Sequence, residues 1–470
     1  MKPGSGLKSK EFFRSGADCT LSGGLKGIEK ESLRITRDGS IAQSPHPKAW
    51  GASLTHPFIT TDYSESLPEL ITPPSKNISD SLAFLRELHH FLYEHMEPGE
   101  MLWCASMPCA VSDEKKIPIA EYGNSNVGRM KHIYRLGLDF RYGRRMQAIS
   151  GVHFNYSLPE QFWTALGDYK KKNKTQDPQD FKNENYFGLI RNYSRMSWMI
   201  PLLFGCSPVV CKSFLSGNTS RFKKMLDGTY YVQNGTSLRM SDIGYKNKNQ
   251  SALKISYDSL DCYLRSLKKA ITTPYPEYET IGLYDGADRI QLSTNVLQIE
   301  NEYYSSIRPK RADHSGQRPS KGLKSYGVEY VEMRALDVDM LDPYGIKLES
   351  LLFCEAFLIY CLLEESPFIS EKELQAIEYN EITVALRGRE PNLKLNNELL
   401  GKRQTARDWA LEILEKMGPI CEILSRDQNL NYTLALQKIK ETIVNPDMLP
   451  SAKILQILAD RRLEFQTFAL

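Results

Sequence analysis

The strongest constraint on this chain is the placement of carboxylates among aliphatic side chains near its start. Gly27-Ile28-Glu29-Lys30-Glu31 and Asp62…Glu65…Glu69 read as strands. Strand alternation puts Glu29 and Glu31 on one face with Leu33 and Ile35, and puts Glu69 between Leu67 and Ile71. An uncompensated buried carboxylate costs several kcal/mol, so positive charge must sit among these groups. A cluster of divalent cations is the simplest source, and it points towards phosphate chemistry.

Composition leaves that reading room. At 470 residues, with 41% hydrophobic and 25% charged content, the chain has ample material for a core in one large domain or two to three ordinary ones. A net charge of +3 provides no bulk field for nucleic acid or a membrane surface. Basic residues concentrate locally at 170–174 and 308–324, and the second stretch carries the loop residues Pro309, Gly316, Pro319 and Gly322. A nucleic-acid-binding module would have to use those two stretches and would have no need of buried carboxylates. Residues 1–27 lack the apolar run of a secretory leader. The longest apolar run, 351–363, is interrupted by Glu355 and too short to span a bilayer, so it predicts a core helix. Nine scattered cysteines predict buried thiols in a reducing cytoplasm; the Cys104/Cys109 and Cys206/Cys211 spacings are weak zinc signals.

Periodicity predicts strands at 26–36, 68–72, 151–157, 290–299 and 327–334, with a turn at Asp38-Gly39. It predicts helices at 80–96, capped by Ser79 or Asp80, at 126–147 and near 186–201, with helical patterns dominating from Gly345 onward. Residues 168–184 read as a polar insertion, and 216–251 as a segment too long to be an idle connector. Strands collected first and helices last predict an α+β fold with a mostly antiparallel sheet.

The chain has no phosphate-binding glycine loop of the P-loop or dinucleotide type, no H-E-x-x-H and no G-x-S-x-G. The remaining candidates are Glu29, Glu31, Asp62, Glu65, Glu69 and Glu332 with His153. On the last predicted strand, alternation aligns Tyr330, Glu332 and Arg334, at spacings of roughly 6.5–7 Å. That suits a metal-bound carboxylate beside a phosphate-clamping guanidinium. Oxygen ligands favour Mg²⁺, and a histidine among them keeps Mn²⁺ open. The competing reading is plain: Glu-Lys-Glu is usually a solvated run, and Arg334 could simply pair with Glu332.

Longer blocks decide between these. Gly27 to Glu31, Leu67-Pro68-Glu69-Leu70-Ile71-Thr72-Pro73, Ser106-Met107-Pro108 and Tyr122-Gly123-Asn124-Ser125-Asn126 resemble glutamate–cysteine ligases of the proteobacterial type. The resemblance continues, in family order, through Ser150-Gly151-Val152-His153-Phe154-Asn155, Ser237-Leu238-Arg239-Met240-Ser241-Asp242, Asn301-Glu302-Tyr303-Tyr304, Ile307 to Arg311 and Gly327 to Arg334.

This resemblance implies ligation of L-glutamate to L-cysteine with ATP, on a curved antiparallel sheet like that of glutamine synthetase surrounded by helices. It implies one catalytic unit over 1–470, with a sheet core at 20–343 and a helical part at 344–470. It assigns Glu29, Glu31, Asp62, Glu69, His153 and Glu332 to two or three Mg²⁺ ions, and Arg334 to the transferring phosphoryl group. Arg239 matches the glutamate-binding arginine and Arg135 a contact to a substrate carboxylate or the acyl phosphate, while Tyr134, Gln147 and Tyr245 match the cysteine pocket. Arg308, Lys310 and Arg311 match ATP phosphate contacts, and Glu65 falls off the metal positions. A related ligase with another amine acceptor is the alternative. The resemblance also implies a monomer, and the chain stops at Leu470, where close relatives continue.

Overall fold

The computed structural model describes residues 12, 21–170, 176–215, 219–244, 253–312 and 318–470. Its centre is a six-stranded sheet of β1 (Leu25–Glu31), β2 (Ile59–Thr61), β3 (Pro68–Ile71), β4 (Val152–Ser157), β5 (Ile307–Lys310) and β6 (Tyr330–Leu336). The strand order is β5-β6-β4-β1-β3-β2, and every neighbouring pair is antiparallel. The predicted α+β class with an antiparallel sheet is what the chain adopts.

One face of this sheet is covered by helices. Ile28 on β1 and Val152, Phe154 and Tyr156 on β4 are fully buried, in the same apolar cluster as Leu351, Phe357 and Ile420 from the helical C-terminal part. α1 (Ile78–Glu94) packs here too, with Leu85 and Leu92 fully buried. The predicted cap shifts: Asn77, not Ser79 or Asp80, accepts the Ser79 N–H at 3.0 Å. α2 (Asn126–Tyr142) is capped by Ser125 and ended by Gly143, whose φ of 77° suits glycine. It stops five residues before the predicted end at 147.

Other expectations need correction. α3 (Pro178–Met196) begins within the stretch read as a polar insertion. Polar positions in that stretch are bonded inward, as when Asn183 Oδ1 accepts the Val328 N–H at 2.8 Å, and this hides the apolar spacing. The predicted strand at 290–299 forms only an isolated bridge, Pro274 to Asn295. There the Gln291 amide takes the Gly282 carbonyl at 2.7 Å, and Gln298 Oε1 takes the Leu292 N–H at 3.0 Å. The predicted strand at 26–36 splits: β1 ends at Glu31, and Arg34–Thr36 pairs with Glu100–Leu102 in a second sheet. α4 (Leu348–Leu363) is the expected core helix, and the mainly helical part beyond it also holds one short hairpin, Lys394–Asn397 with Lys402–Thr405.

The cysteine reading fails at one pair. Cys109 and Cys211 form a disulfide, with Cα atoms 5.4 Å apart across a separation of 102 residues. The fold brings together the distal members of two local pairs, which spacing along the chain cannot show. Cys104, Cys206, Cys262, Cys354, Cys361 and Cys421 are free thiols. Among the described residues, no helix is long and apolar enough to cross a membrane.

Candidate active site

The face of the sheet opposite α4 carries the acidic side chains, and the register sets them side by side. Glu29 of β1 lies opposite His153 of β4, Glu31 opposite Glu69 of β3, and Glu332 of β6 opposite Asn155. His153 Nδ1 is 3.0 Å from Glu29 Oε2, and its Nε2 is 3.8 Å from Glu31 Oε1. Asn155 Nδ2 donates to Glu29 Oε1 at 2.7 Å, so both Glu29 oxygens are fixed. An imidazole that donates Nδ1–H to Glu29 turns its Nε2 lone pair towards Glu31, as a metal-binding histidine does.

Cations flank this row on β5 and β6. Arg334 Nη1 is 3.1 Å from Glu332 Oε1, and Lys310 Nζ is 3.4 Å from the same oxygen. Arg308 lies opposite Glu332 in the register, its guanidinium bonded to the Asn301 and Tyr303 carbonyls. Burial would raise the Glu332 carboxyl, but Lys310, Arg334 and His153 hold it well below the usual range.

Further along the row the balance reverses. Burial and the neighbouring Asp62 push the Glu31 carboxyl up to about 8, against Arg239, Arg334 and the Gly151 N–H. Burial, Glu29 and Asp62 push Glu69 well above its ordinary value. Burial and Arg334 lower the His153 pKa, which keeps its ring neutral. Protein cations therefore satisfy one end of the row and leave the other with surplus carboxylate.

The residues fit divalent ions. Glu29, Glu69 and His153 each offer a ligand atom, all within 4.8 Å of one another. Glu332 Oε2, Asn155 Oδ1 and Gln147 Nε2 are buried without a hydrogen-bond partner among the described residues, as expected where a ligand completes the site. A cavity opens beside Arg334, bounded by Glu31, Asp62, Arg308, Tyr134, Leu138 and Tyr304.

With that geometry in place, comparison with known proteins is decisive. A family profile described as glutamate-cysteine ligase matches residues 10–384. The chain belongs to the glutamate–cysteine ligase family. A glutamate–cysteine ligase of Alcanivorax borkumensis is 47% identical over 465 residues, 98% of this chain and 88% of that protein. One of Pseudomonas paraeruginosa is 43% identical over 447 residues, 95% of this chain and 84% of that protein. A crystal structure of a Francisella tularensis glutamate–cysteine ligase in complex with AMP superposes with a TM-score of 0.88 at 36% identity. That match covers 95% of this chain and 86% of the other.

Most of the sequence-predicted set converges on the sheet face or its cavity: Glu29, Glu31, Asp62, Glu69, His153, Glu332, Arg334, Arg308, Lys310, Tyr134, Arg135 and Gln147. Arg239 is close behind, its Nη2 donating to the Arg334 carbonyl at 2.9 Å. It lies so near Gly151 that a Cβ there would fall 2.0 Å from the guanidinium. Arg311 is not brought in. It bonds the Tyr326 and Gly327 carbonyls and lines a different cavity with Lys76 and Lys182. Arg135 lines the site but donates to the Asp62 carbonyl at 2.7 Å and lies 4.7 Å from the Tyr122 ring centroid. Tyr245 lies outside the described residues. Glu65 is structural, accepting the His46 and Glu121 N–H groups at 2.9 and 3.0 Å.

Several residues of this glutamate–cysteine ligase site were not singled out from sequence. Asn155 shares the alternating face of His153 and was legible there as its neighbour two residues on. Tyr304, whose OH donates to Gln147 Oε1 at 3.1 Å, lies in irregular chain, and Asn301 in the single 3-10 turn Glu300–Glu302, neither of which leaves a periodic signal.

Proposed function

We propose that this chain joins the γ-carboxyl of L-glutamate to the amine of L-cysteine at the expense of ATP, the first step of glutathione synthesis. The observation that carries the reading is the polar row itself: clustered carboxylates at one end and Arg334, Lys310 and Arg308 at the other, in a member of this family.

A carboxylate is a poor electrophile. Transfer of the γ-phosphoryl group of ATP makes it an acyl phosphate, and the amine then displaces phosphate to give the amide. Negative charge concentrates in both steps, and fixed cations lower its cost. Arg334, braced on Glu332, would steady the transferring phosphoryl group. Lys310 and Arg308 would meet the nucleotide phosphates, and the AMP-bound relative supports a nucleotide site in this family. Arg239 would receive a glutamate carboxylate, while Tyr134, Leu138, Gln147 and Tyr304 offer the amino-acid acceptor an uncharged wall. Glu29, Glu31, Asp62, Glu69, His153 and Glu332 would hold two or three Mg²⁺ ions, with Mn²⁺ able to substitute. When bound, those ions supply charge neutralisation for the triphosphate.

We read 1–470 as one catalytic unit, because the sheet and the C-terminal helices share an apolar cluster, and as a cytoplasmic monomer. The test is turnover with glutamate, cysteine and Mg-ATP. The expected products are γ-glutamylcysteine, ADP and phosphate, each requiring both amino acids; ADP release indifferent to cysteine would overturn the reading. Ranking cysteine against 2-aminobutyrate and unrelated amines fixes the acceptor.

A further inference from the structure

Arg239 is almost fully enclosed, at 1% exposure, on the turn formed by 237–241. A buried guanidinium keeps one orientation only if its backbone is held, and one carboxylate holds this backbone from both sides. Asp337, immediately after β6, is 2% exposed. Its Oδ2 accepts the Cys206 N–H at 2.8 Å and the Ser207 hydroxyl at 2.6 Å, and its Oδ1 accepts the Ser237 hydroxyl at 2.9 Å. Those two hydroxyls serve in turn as acceptors. Ser207 Oγ takes the Arg239 N–H at 3.3 Å, and Ser237 Oγ takes the Met240 N–H at 3.2 Å.

Asp337 also faces the guanidinium directly, with Oδ1 3.9 Å from Arg239 Nη1. That separation is long for a charge-assisted hydrogen bond. The carboxylate is near enough to orient the guanidinium and too far to occupy it as a bidentate partner would.

We propose that Asp337 is a positioning residue for glutamate recognition, holding the 237–241 turn so that Arg239 meets a carboxylate of glutamate. It lies outside the lining of the cavity beside Arg334. The inference rests on the reading of Arg239 given above.

The experiment compares Asp337→Asn, Ser237→Ala and Arg239→Lys in the full chain, varying glutamate, cysteine and Mg-ATP separately. An asparagine has one acceptor oxygen and must turn its NH₂ towards donors. Asp337→Asn should therefore raise the KM for glutamate about tenfold or more, while the KM values for ATP and cysteine stay within about twofold. Ser237→Ala, which removes one of the three bonds, should move the glutamate KM in the same direction by a smaller factor. If Asp337→Asn does not accumulate as folded protein, Ser237→Ala decides by the same criterion. A glutamate KM unchanged in Asp337→Asn but raised in Arg239→Lys overturns the role of Asp337 alone. A glutamate KM unchanged in Arg239→Lys overturns the reading of Arg239, and this inference with it. Equal rises in all three KM values would mean general loosening and would also overturn it.

Discussion

The two faces of β1 bury charge in opposite ways. Towards the helices, Lys26 meets Glu355 at 2.9 Å, both with fully buried side chains, and the Tyr432 hydroxyl closes the far oxygen of Glu355 at 2.6 Å. Lys30 on the same face donates to Ser32 Oγ at 2.7 Å and lies 2.9 Å from His89 Nε2. Both lysines there have protein partners. On the other face Glu31 and Glu69, beside Asp62 and Glu29, meet more negative charge than the protein balances. Buried charge that is matched within the chain is structure; buried charge left in surplus is a site awaiting a ligand. Residues adjacent in sequence belong to different categories only because alternation sends them to different faces.

The largest expected effect comes from breaking the surplus face. Glu31→Gln keeps an oxygen to accept the Gly151 N–H, which Glu31 Oε2 takes at 2.7 Å, but removes a charge. Ligase activity should fall by at least about 100-fold, with a changed Mg²⁺ dependence. Stability should move the other way. The Glu31 carboxyl is raised to about 8 in the folded chain, chiefly by burial and then by Asp62, so ionisation near neutral pH opposes folding. In metal-free buffer at pH 7, urea unfolding should show the variant no less stable than the parent. An unchanged Mg²⁺ titration would remove Glu31 from the metal set, and a marked loss of stability would break the contrast between the faces.

The matched face predicts the converse. Lys26→Met leaves Glu355 buried without its cation and should cost about 3–5 kcal/mol of stability. Lys26→Met combined with Glu355→Leu should recover much of that loss, since a well-packed apolar pair often replaces a buried ion pair at little cost. Denaturant unfolding of the single and double variants measures both. A single-variant loss below about 1 kcal/mol would mean that the pair is not the matched unit described here.

This division was partly legible in sequence. Period-two alternation placed Glu29 and Glu31 on one face, aligned Glu332 with Arg334 and set His153 beside Asn155, because a strand's side-chain directions follow from its backbone alone. The apolar run at 351–363 announced a core helix, and its one charge, Glu355, is the partner of Lys26. Interactions across long separations were not legible. Nothing local pairs Lys26 with Glu355, Cys109 with Cys211, or Asp337 with the turn that carries Arg239. Polar residues also misled where their side chains bond inward. The buried amides of α3 resembled a solvated insertion, and Gln291 and Gln298 let 290–299 run as irregular chain despite its apolar content.

The smallest expected effect tests whether the matched face depends on charge state as well as shape. His89 Nδ1 is 2.8 Å from the Leu85 carbonyl, and its Nε2 faces the Lys30 ammonium, so the ring fits only as a neutral imidazole that donates at Nδ1 and accepts at Nε2. Burial first, and Lys30 second, depress its pKa to about 3. Below about pH 6.5 the unfolded chain takes up a proton that the folded chain refuses, so this contribution is complete above 6.5 and is lost as pH falls towards 3. Between pH 7 and pH 5 the loss from this one group is about 2 kcal/mol. Lys30 adds nothing in that window, because its own pKa is lowered only to about 8. Carboxylates elsewhere titrate in both proteins, so the comparison is with His89→Gln, which cannot take the proton. Its stability deficit relative to the parent at pH 7 should shrink by about 2 kcal/mol at pH 5. Parallel stability curves for the two proteins would mean that His89 accepts its proton without cost, and the helix-covered face would then tolerate unmatched charge as the acidic face does.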